Sequence, residues 1–288
     1  MAQTENPIRN VSDTALWIAL YRAQESARPD RVFDDPFAGR LAGERGAAIA
    51  AATPFMTRHS WSIVGRTVVF DRFIADEIAQ GADMVVLLAA GLDTRPYRMA
   101  LPSNLRWVEV DLPGILEYKE EKLAGETPHC HLERVRLDLA DAQGRRALFQ
   151  RLGTEAKRIV VVSEGLIIYL QPEDVDGIAR DLAAVPSIAT WITDLASPAL
   201  LKMMMREMGA EVNAANAPFR FAPVEGPAYF RRLGWEAVEV GSPLRTAAKL
   251  KRVHELGLRI AAMLPQSFPR NGVRPWSGIL RLKPMKER

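Results

Sequence analysis

The stretch Met84–Arg98, MVVLLAAGLDTRPYR, decides how the rest of the chain is read. Met84 to Ala90 is an unbroken apolar run, with the length and Val/Leu content of a strand buried on both faces of a parallel sheet. The character changes at Gly91, which permits a turn that a side chain would obstruct. Asp93 and Thr94 are N-cap residues, and Pro96 suits a first helical turn. Strand, tight turn and helix start bring free backbone N–H groups to the carboxyl end of a central strand, where open α/β sheets bind nucleotide-like ligands. A lone glycine after an apolar run also fits an ordinary βα turn. A second signal favours a ligand: the next strand ends at Asp111, twenty residues after Gly91, where doubly wound folds place the acid that accepts from ribose hydroxyls.

Working outward, Asn104–Val110 reads as the second strand, His131–Leu137 as the third, Arg158–Val162 as the fourth and Ile188–Asp194 as the fifth. The helices between them are Pro113–Leu123, Asp141–Leu152 and Pro172–Ala183, the alternation of a doubly wound sheet. Upstream, Ala15, Leu16, Ala19 and Leu20 recur at helical spacing behind Ser12 or Asp13 as a cap. Asp35 before Pro36 marks a further helix start, continuing to Ala52, and Thr57–Ala79 reads as one long helix. Downstream, the methionine-rich LLKMMMREM reads as a core helix, with a cover over a ligand as the functional alternative. Trp235–Val240 and Gly278–Leu282, separated by a long helix Leu244–Met263, would complete the sheet as sixth and seventh strands. The expected class is α/β, a seven-stranded mostly parallel sheet with helices on both faces. It forms one domain over residues 1–288: a helical cover in 1–80, a ligand-binding core in 81–195, and a substrate cover with sheet completion in 196–288.

The 288 residues are 48% hydrophobic, enough for a sizeable core. Thirty-eight basic and 35 acidic residues interleave to a net charge of +3, and no basic stripe with stacking aromatics occurs, so no nucleic-acid partner is expected. Cys130 is the only cysteine, which excludes an internal disulfide and agrees with a reducing cytoplasm. No segment approaches the ~18 apolar residues of a membrane span, and MAQTENPIRN is not a secretory leader, so no membrane partner is expected either. Nothing in the sequence speaks to oligomeric state.

Chemistry concentrates at the strand ends: Gly91 with Asp93, then Asp111, Asp138, Ser163 with Glu164, and Asp194. Carboxyl ends of neighbouring parallel strands lie side by side, so these acids would line one rim and favour a cationic or hydroxyl-rich ligand. His129, Cys130 and His131 lack partner acids at ligand spacing, and no metal is expected. His59 precedes Arg66 by two helical turns, which would put both on one helix face.

Several of these segments together resemble one family. DDPFA at Asp34–Ala38, GRTVVFD at Gly65–Asp71, AAGLDTR at Ala89–Arg95, EVDLP at Glu109–Pro113, LDL at Leu137–Leu139 and SEGLIIYL at Ser163–Leu170 look like the leucine carboxyl methyltransferase family of S-adenosylmethionine-dependent methyltransferases. They are similar in particular to its bacterial small-molecule O-methyltransferases, including polyketide tailoring enzymes. The match runs from about residue 12 to 195. The resemblance implies a class I, Rossmann-like methyltransferase fold and S-adenosylmethionine as cofactor, released as S-adenosylhomocysteine. It also implies roles. Arg66 would bind the methionyl carboxylate, with Arg22 as a second contact. Ala89 and Gly91 would form the turn against which the cofactor lies, and Asp111 with Leu112 would hold the ribose. Asp138 and Leu139 would hold the adenine, and Glu164 would sit under the methionine part. In the turn the family often has Gly-Ala-Gly, where this chain has Ala89, Ala90 and Gly91.

A sulfonium methyl is already activated, so such an enzyme mainly aligns acceptor and methyl and excludes water. A carboxylate acceptor needs no base, whereas a hydroxyl would gain from one, and His59 is the candidate. The expected partner is a small-molecule methyl acceptor, polyketide-like on the resemblance. The alternatives are a protein C-terminal carboxylate as acceptor and a non-catalytic nucleotide-binding module. A dinucleotide oxidoreductase is disfavoured because residues 89–94 fail its glycine pattern.

Overall fold

Helices precede the sheet in the computed structural model, which describes residues 13–214, 217–264 and 272–285. They are α1 (Asp13–Ser26), α2 (Ala38–Ala52), α3 (Pro54–Arg58) and α4 (Trp61–Ala79). The sequence expectation of one helix over 57–79 is corrected here. The chain breaks at His59 and Ser60, where the His59 imidazole and backbone N–H both bond back to the carbonyl of Phe55, closing α3 before α4 begins. Asp35 and Pro36 lie ahead of α2, and Asp35 serves tertiary contacts instead of a cap. Asp13 begins α1, while Ser12, the other candidate cap, lies outside the described residues.

The sheet follows as β1 (Met84–Leu88), β2 (Arg106–Asp111), β3 (His131–Arg136), β4 (Ile159–Ser163), β5 (Ile188–Ala196), β6 (Trp235–Gly241) and β7 (Ser277–Pro284). Its order is β3-β2-β1-β4-β5-β7-β6, and β7 runs antiparallel to both its neighbours. Every residue of β1 is buried. Met84, Val86 and Leu88 join a core with Val108, Val161, Ile178 and Leu182, whereas Val85 and Leu87 meet Val69, Phe70, Phe73 and Ile74 of α4. A strand enclosed on both faces has no use for alternation, which is why the run is continuous. The chain builds outward from β1 to β3 and then returns to β4. The crevice between the ends of β1 and β4 is therefore the topological switch point, where such sheets bind ligands.

Between and after the strands come α5 (Arg95–Arg98), α6 (Pro113–Lys122), α7 (Ala142–Glu155), α8 (Pro172–Ala183), α9 (Pro198–Ala214), α10 (Pro243–Lys249) and α11 (Leu256–Met263). The expected helix over 244–263 is thus two. Lys251 adopts a left-handed φ of 58°, and Arg252 is drawn inward to a buried bidentate pair with Glu25 of α1, at 2.9 and 2.8 Å. That pair outweighs helix continuity.

Gly65 lets α4 meet the start of α10 with no side chain between them, since a Cβ there would fall 2.2 Å from the Pro243 carbonyl oxygen. Because Arg66 follows directly, this contact sets where its guanidinium projects. Gly65→Ala is expected to cost about 1–3 kcal/mol by overpacking, read as a lower denaturant midpoint in equilibrium unfolding.

Candidate functional site

A cavity of about 650 Å³ opens over the carboxyl ends of β1 to β5. Its floor is the turn after β1. Ala89 and Gly91 both take left-handed φ values, 52° and 46°, and a Cβ on Gly91 would stand 3.4 Å from the Ala15 methyl of α1. The turn is held by Asp111, whose carboxylate accepts from the Gly91 N–H at 2.6 Å and from its neighbour Leu112 at 2.7 Å. Among the described residues Asp111 has no ion-pair partner. Burial raises its pKa, although the two backbone hydrogen bonds oppose this. Asp138 lies exposed on the lip, accepting from the Ala140 N–H at 2.9 Å, and Leu112 and Leu139 border the same opening. Ser163 departs from expectation: it is fully buried within β4, bonded to Thr193 and Trp191, and takes no part in the rim.

Across the switch point Arg66, from α4, makes ion pairs with Glu164 at 2.9 Å and Asp194 at 3.6 Å. Burial pushes the Asp194 carboxyl above its ordinary range, against the pull of Arg66 and of the Gly165 N–H. Glu164 is shared. Its other oxygen meets Arg95 at 2.9 Å, and Arg95 also bonds Asp71 at 2.7 Å and Asp93. Arg98 adds a bidentate pair to Asp71, at 2.7 and 2.8 Å. Burial opposes ionisation of Asp71 and Asp93, yet the guanidiniums beside them hold both carboxyls below the usual range. Arg95 is itself buried, and its three carboxylates raise its pKa despite the desolvation that works against the charge. Arg22 is placed on the cavity but already engaged, its Nε to Asp35 at 2.8 Å and its Nη2 to the Leu92 carbonyl at 2.6 Å. Thr94 donates to the same Asp35 oxygen at 2.7 Å.

The structure therefore brings Arg22, Arg66, Ala89, Gly91, Asp111, Leu112, Asp138, Leu139, Glu164 and His59 onto one cavity. His59 gets there by a different route from the one expected, because it ends α3 and is not on a shared helix with Arg66. Sequence reasoning gave Asp71, Arg95 and Arg98 no role, took Asp35 only as a helix start, and took Asp93 as a cap and rim acid without its arginine partner. All but Arg98 sit inside the motifs that carry the family resemblance; what the sequence could not display is that they pair with one another. Most of the remaining lining is apolar, including Phe55, Trp61, Leu200, Met203, Met204 and Phe219, with Thr14, Ser62, Thr67, Asp174 and Arg220 among its polar members. On α9, Met203, Met204 and Met208 all border the cavity, and Met208 is also buried against the core. Among the described residues no cluster of three metal-ligating side chains occurs, and no helix is long and apolar enough to cross a membrane.

The family model for leucine carboxyl methyltransferase matches residues 15–183. The chain belongs to that family. It is 33% identical over 261 residues to a protein of Parafrankia sp. (strain EAN1pec) assigned as an S-adenosyl-L-methionine-dependent methyltransferase, covering 84% of this chain and 82% of the relative. A similarly assigned protein of Mycobacterium marinum is 30% identical over 269 residues, covering 82% and 87%. In fold the chain is similar to a crystal structure assigned as a methyltransferase from Thermobifida fusca YX, with a TM-score of 0.61, 12% identity and coverage of 97% and 96%. It is also similar to a DUF574 family protein from Streptomyces avermitilis, with a TM-score of 0.58, 17% identity and coverage of 92% and 97%. This family member is accordingly an S-adenosylmethionine-dependent methyltransferase with the class I fold.

The Arg95 cluster yields a stability prediction. Arg95→Met leaves Asp93 without its ion-pair partner and takes one of two guanidiniums from Asp71 and from Glu164, and it is expected to cost about 3–5 kcal/mol in denaturant unfolding near neutral pH. Asp71 and Asp93 have folded pKa values below their unfolded ones, so their contribution is present above the unfolded carboxylate pKa and lost as pH falls through the folded values. The gap between wild type and variant should close in acid.

Proposed function

We propose that the protein transfers the S-adenosylmethionine methyl group to an oxygen, hydroxyl or carboxylate, of a small and largely apolar molecule. The observation that carries this reading is the composition of the cavity, a carboxylate-rich rim at the switch point continuous with an apolar wall from α3, α4 and α9. The donor set fits the cofactor. Asp111 is a half-buried carboxylate with acceptor capacity and, among the described residues, no ion-pair partner, as a partner for ribose hydroxyls requires. Ala89 and Gly91 let the ligand approach the backbone closely, Asp138 and Leu139 with Leu112 offer an edge for the adenine, and Arg66 supplies a guanidinium for the carboxylate. Arg22, with two of its nitrogens engaged, contributes mainly by tying α1 to the turn. Glu164 and Asp194 place negative charge where a sulfonium would lie.

When bound, the cofactor supplies an already activated methyl group. What remains for the chain is to orient the acceptor in line with that methyl and to keep water away. The apolar wall does both. The methionines of α9 give it shape tolerance, as expected of a substrate cover. A protein C-terminal carboxylate as acceptor would need a route for a peptide, and the apolar lining favours a small molecule.

Titration calorimetry with S-adenosylmethionine is expected to show binding that weakens about 10- to 100-fold in Asp111→Asn and in Arg66→Ala, as for loss of a hydrogen bond to a charged group. Binding also requires Asp111 ionised. Its pKa is raised in the free protein, so affinity should fall as pH drops through that raised value, and the dependence should diminish in Asp111→Asn. Absence of wild-type binding, or undiminished binding by both variants, rejects the cofactor assignment.

A further inference from the structure

The guanidiniums of the cavity are almost all paired, which bears on the acceptor. Arg22 pairs with Asp35, Arg66 with Glu164 and Asp194, Arg95 with Asp71, Asp93 and Glu164, and Arg98 with Asp71. The remaining guanidinium on the lining, Arg220, is solvent-exposed at the mouth. A carboxylate acceptor brought against the apolar wall would thus be desolvated without a buried counter-ion, at a cost that a neutral hydroxyl does not meet.

The lining also carries His59, Tyr169 and, exposed at the start of α8, Asp174. Tyr169 bonds to Thr14, and burial pushes its phenol upward, so it stays protonated and is a poor base. His59 is different. Its Nδ1 lies 2.8 Å from the Phe55 carbonyl oxygen, which can only accept, so Nδ1 carries the proton and the neutral ring keeps its lone pair on Nε2. The ring is held between Phe55, centroids 4.3 Å apart, and Trp61, 6.2 Å away. A tautomer fixed by a backbone carbonyl, on a side chain that lines a ligand cavity, is the arrangement of a general base.

We propose that the acceptor is an apolar, uncharged molecule bearing a phenol-type hydroxyl, and that His59 Nε2 removes the hydroxyl proton as the methyl is transferred. This rests on the methyltransferase reading above. The acceptor O–H bond breaks and its proton passes to Nε2, giving imidazolium. The acceptor oxygen bonds the methyl carbon while the carbon–sulfur bond breaks, its electron pair going to sulfur, and neutral S-adenosylhomocysteine leaves.

A matched pair of probes tests it: naphthol and naphthoic acid share one apolar body and differ in the reacting group. In the presence of S-adenosylhomocysteine, naphthol is expected to bind, followed by its own fluorescence, and naphthoic acid to bind at least tenfold more weakly. With labelled S-adenosylmethionine, naphthol should be methylated. His59→Asn keeps an N–H for the Phe55 carbonyl but has no basic nitrogen, and it should slow naphthol methylation about a hundredfold or more. Nitrophenol, largely ionised in mildly alkaline buffer where naphthol is still protonated, should lose far less in the same variant. S-adenosylmethionine affinity in His59→Asn should match wild type, which separates failure of the base from failure of the cofactor site or of folding. Tighter binding or faster methylation of naphthoic acid overturns the acceptor class, and loss of that reaction in Arg220→Ala would identify its counter-ion. Failure of naphthol to bind or react, unchanged naphthol kinetics in His59→Asn, or equal losses for naphthol and nitrophenol likewise overturn the proposal.

Discussion

The buried guanidinium of Arg95 is the constraint on which the site depends. Three carboxylates from three parts of the chain close on it: Asp71 from the body of α4, Asp93 from the turn after β1, and Glu164 from the end of β4. Because Glu164 also meets Arg66, the same cluster determines where the Arg66 guanidinium points. Buried ion pairs often add little net stability compared with apolar packing of the same volume. Here the gain is geometric. A planar fork of fixed donors ties helix, turn and strand end together at the switch point, where packing alone would leave the loops free to shift.

The fold was legible in the sequence because its strongest signal, the continuous apolar run of β1, reports a physical fact, burial on two faces. The order of the later strands followed from alternation with helices. Where the reading failed, a side chain had overridden helical periodicity. The break at His59 is local, its imidazole bonding back to the Phe55 carbonyl one turn earlier, and the break at Lys251 goes with Arg252 reaching Glu25, more than two hundred residues away in sequence. The second partner cannot be guessed from spacing. The boundaries of α2 moved for a related reason, since Asp35 is recruited by Arg22 and Thr94 instead of capping a helix.

The site shows a similar division. Gly91 and Asp111 were recognisable from chemistry and their separation, and the structure joins them by a direct hydrogen bond. Asp138 and Glu164 were recognisable as strand-end acids, Arg66 came from family resemblance, and all three share the same cavity. The network behind them was invisible, because a charged residue in a sequence looks the same whether it is solvated or buried against three partners. Ala89 illustrates the converse. It keeps the left-handed turn without a glycine, a conformation costing on the order of 1–2 kcal/mol, so the surrounding structure must impose it. The absence of a glycine there did not imply the absence of the turn.

The measurement that most directly tests this account is a crystal structure of the protein with S-adenosylhomocysteine. The expected result places the ribose on Asp111, the adenine beside Asp138 and Leu139, and the amino-acid carboxylate on Arg66, with Arg95 still bound by Asp71, Asp93 and Glu164. Product bound elsewhere, or an Arg95 side chain released from its carboxylates when the site is filled, would contradict it.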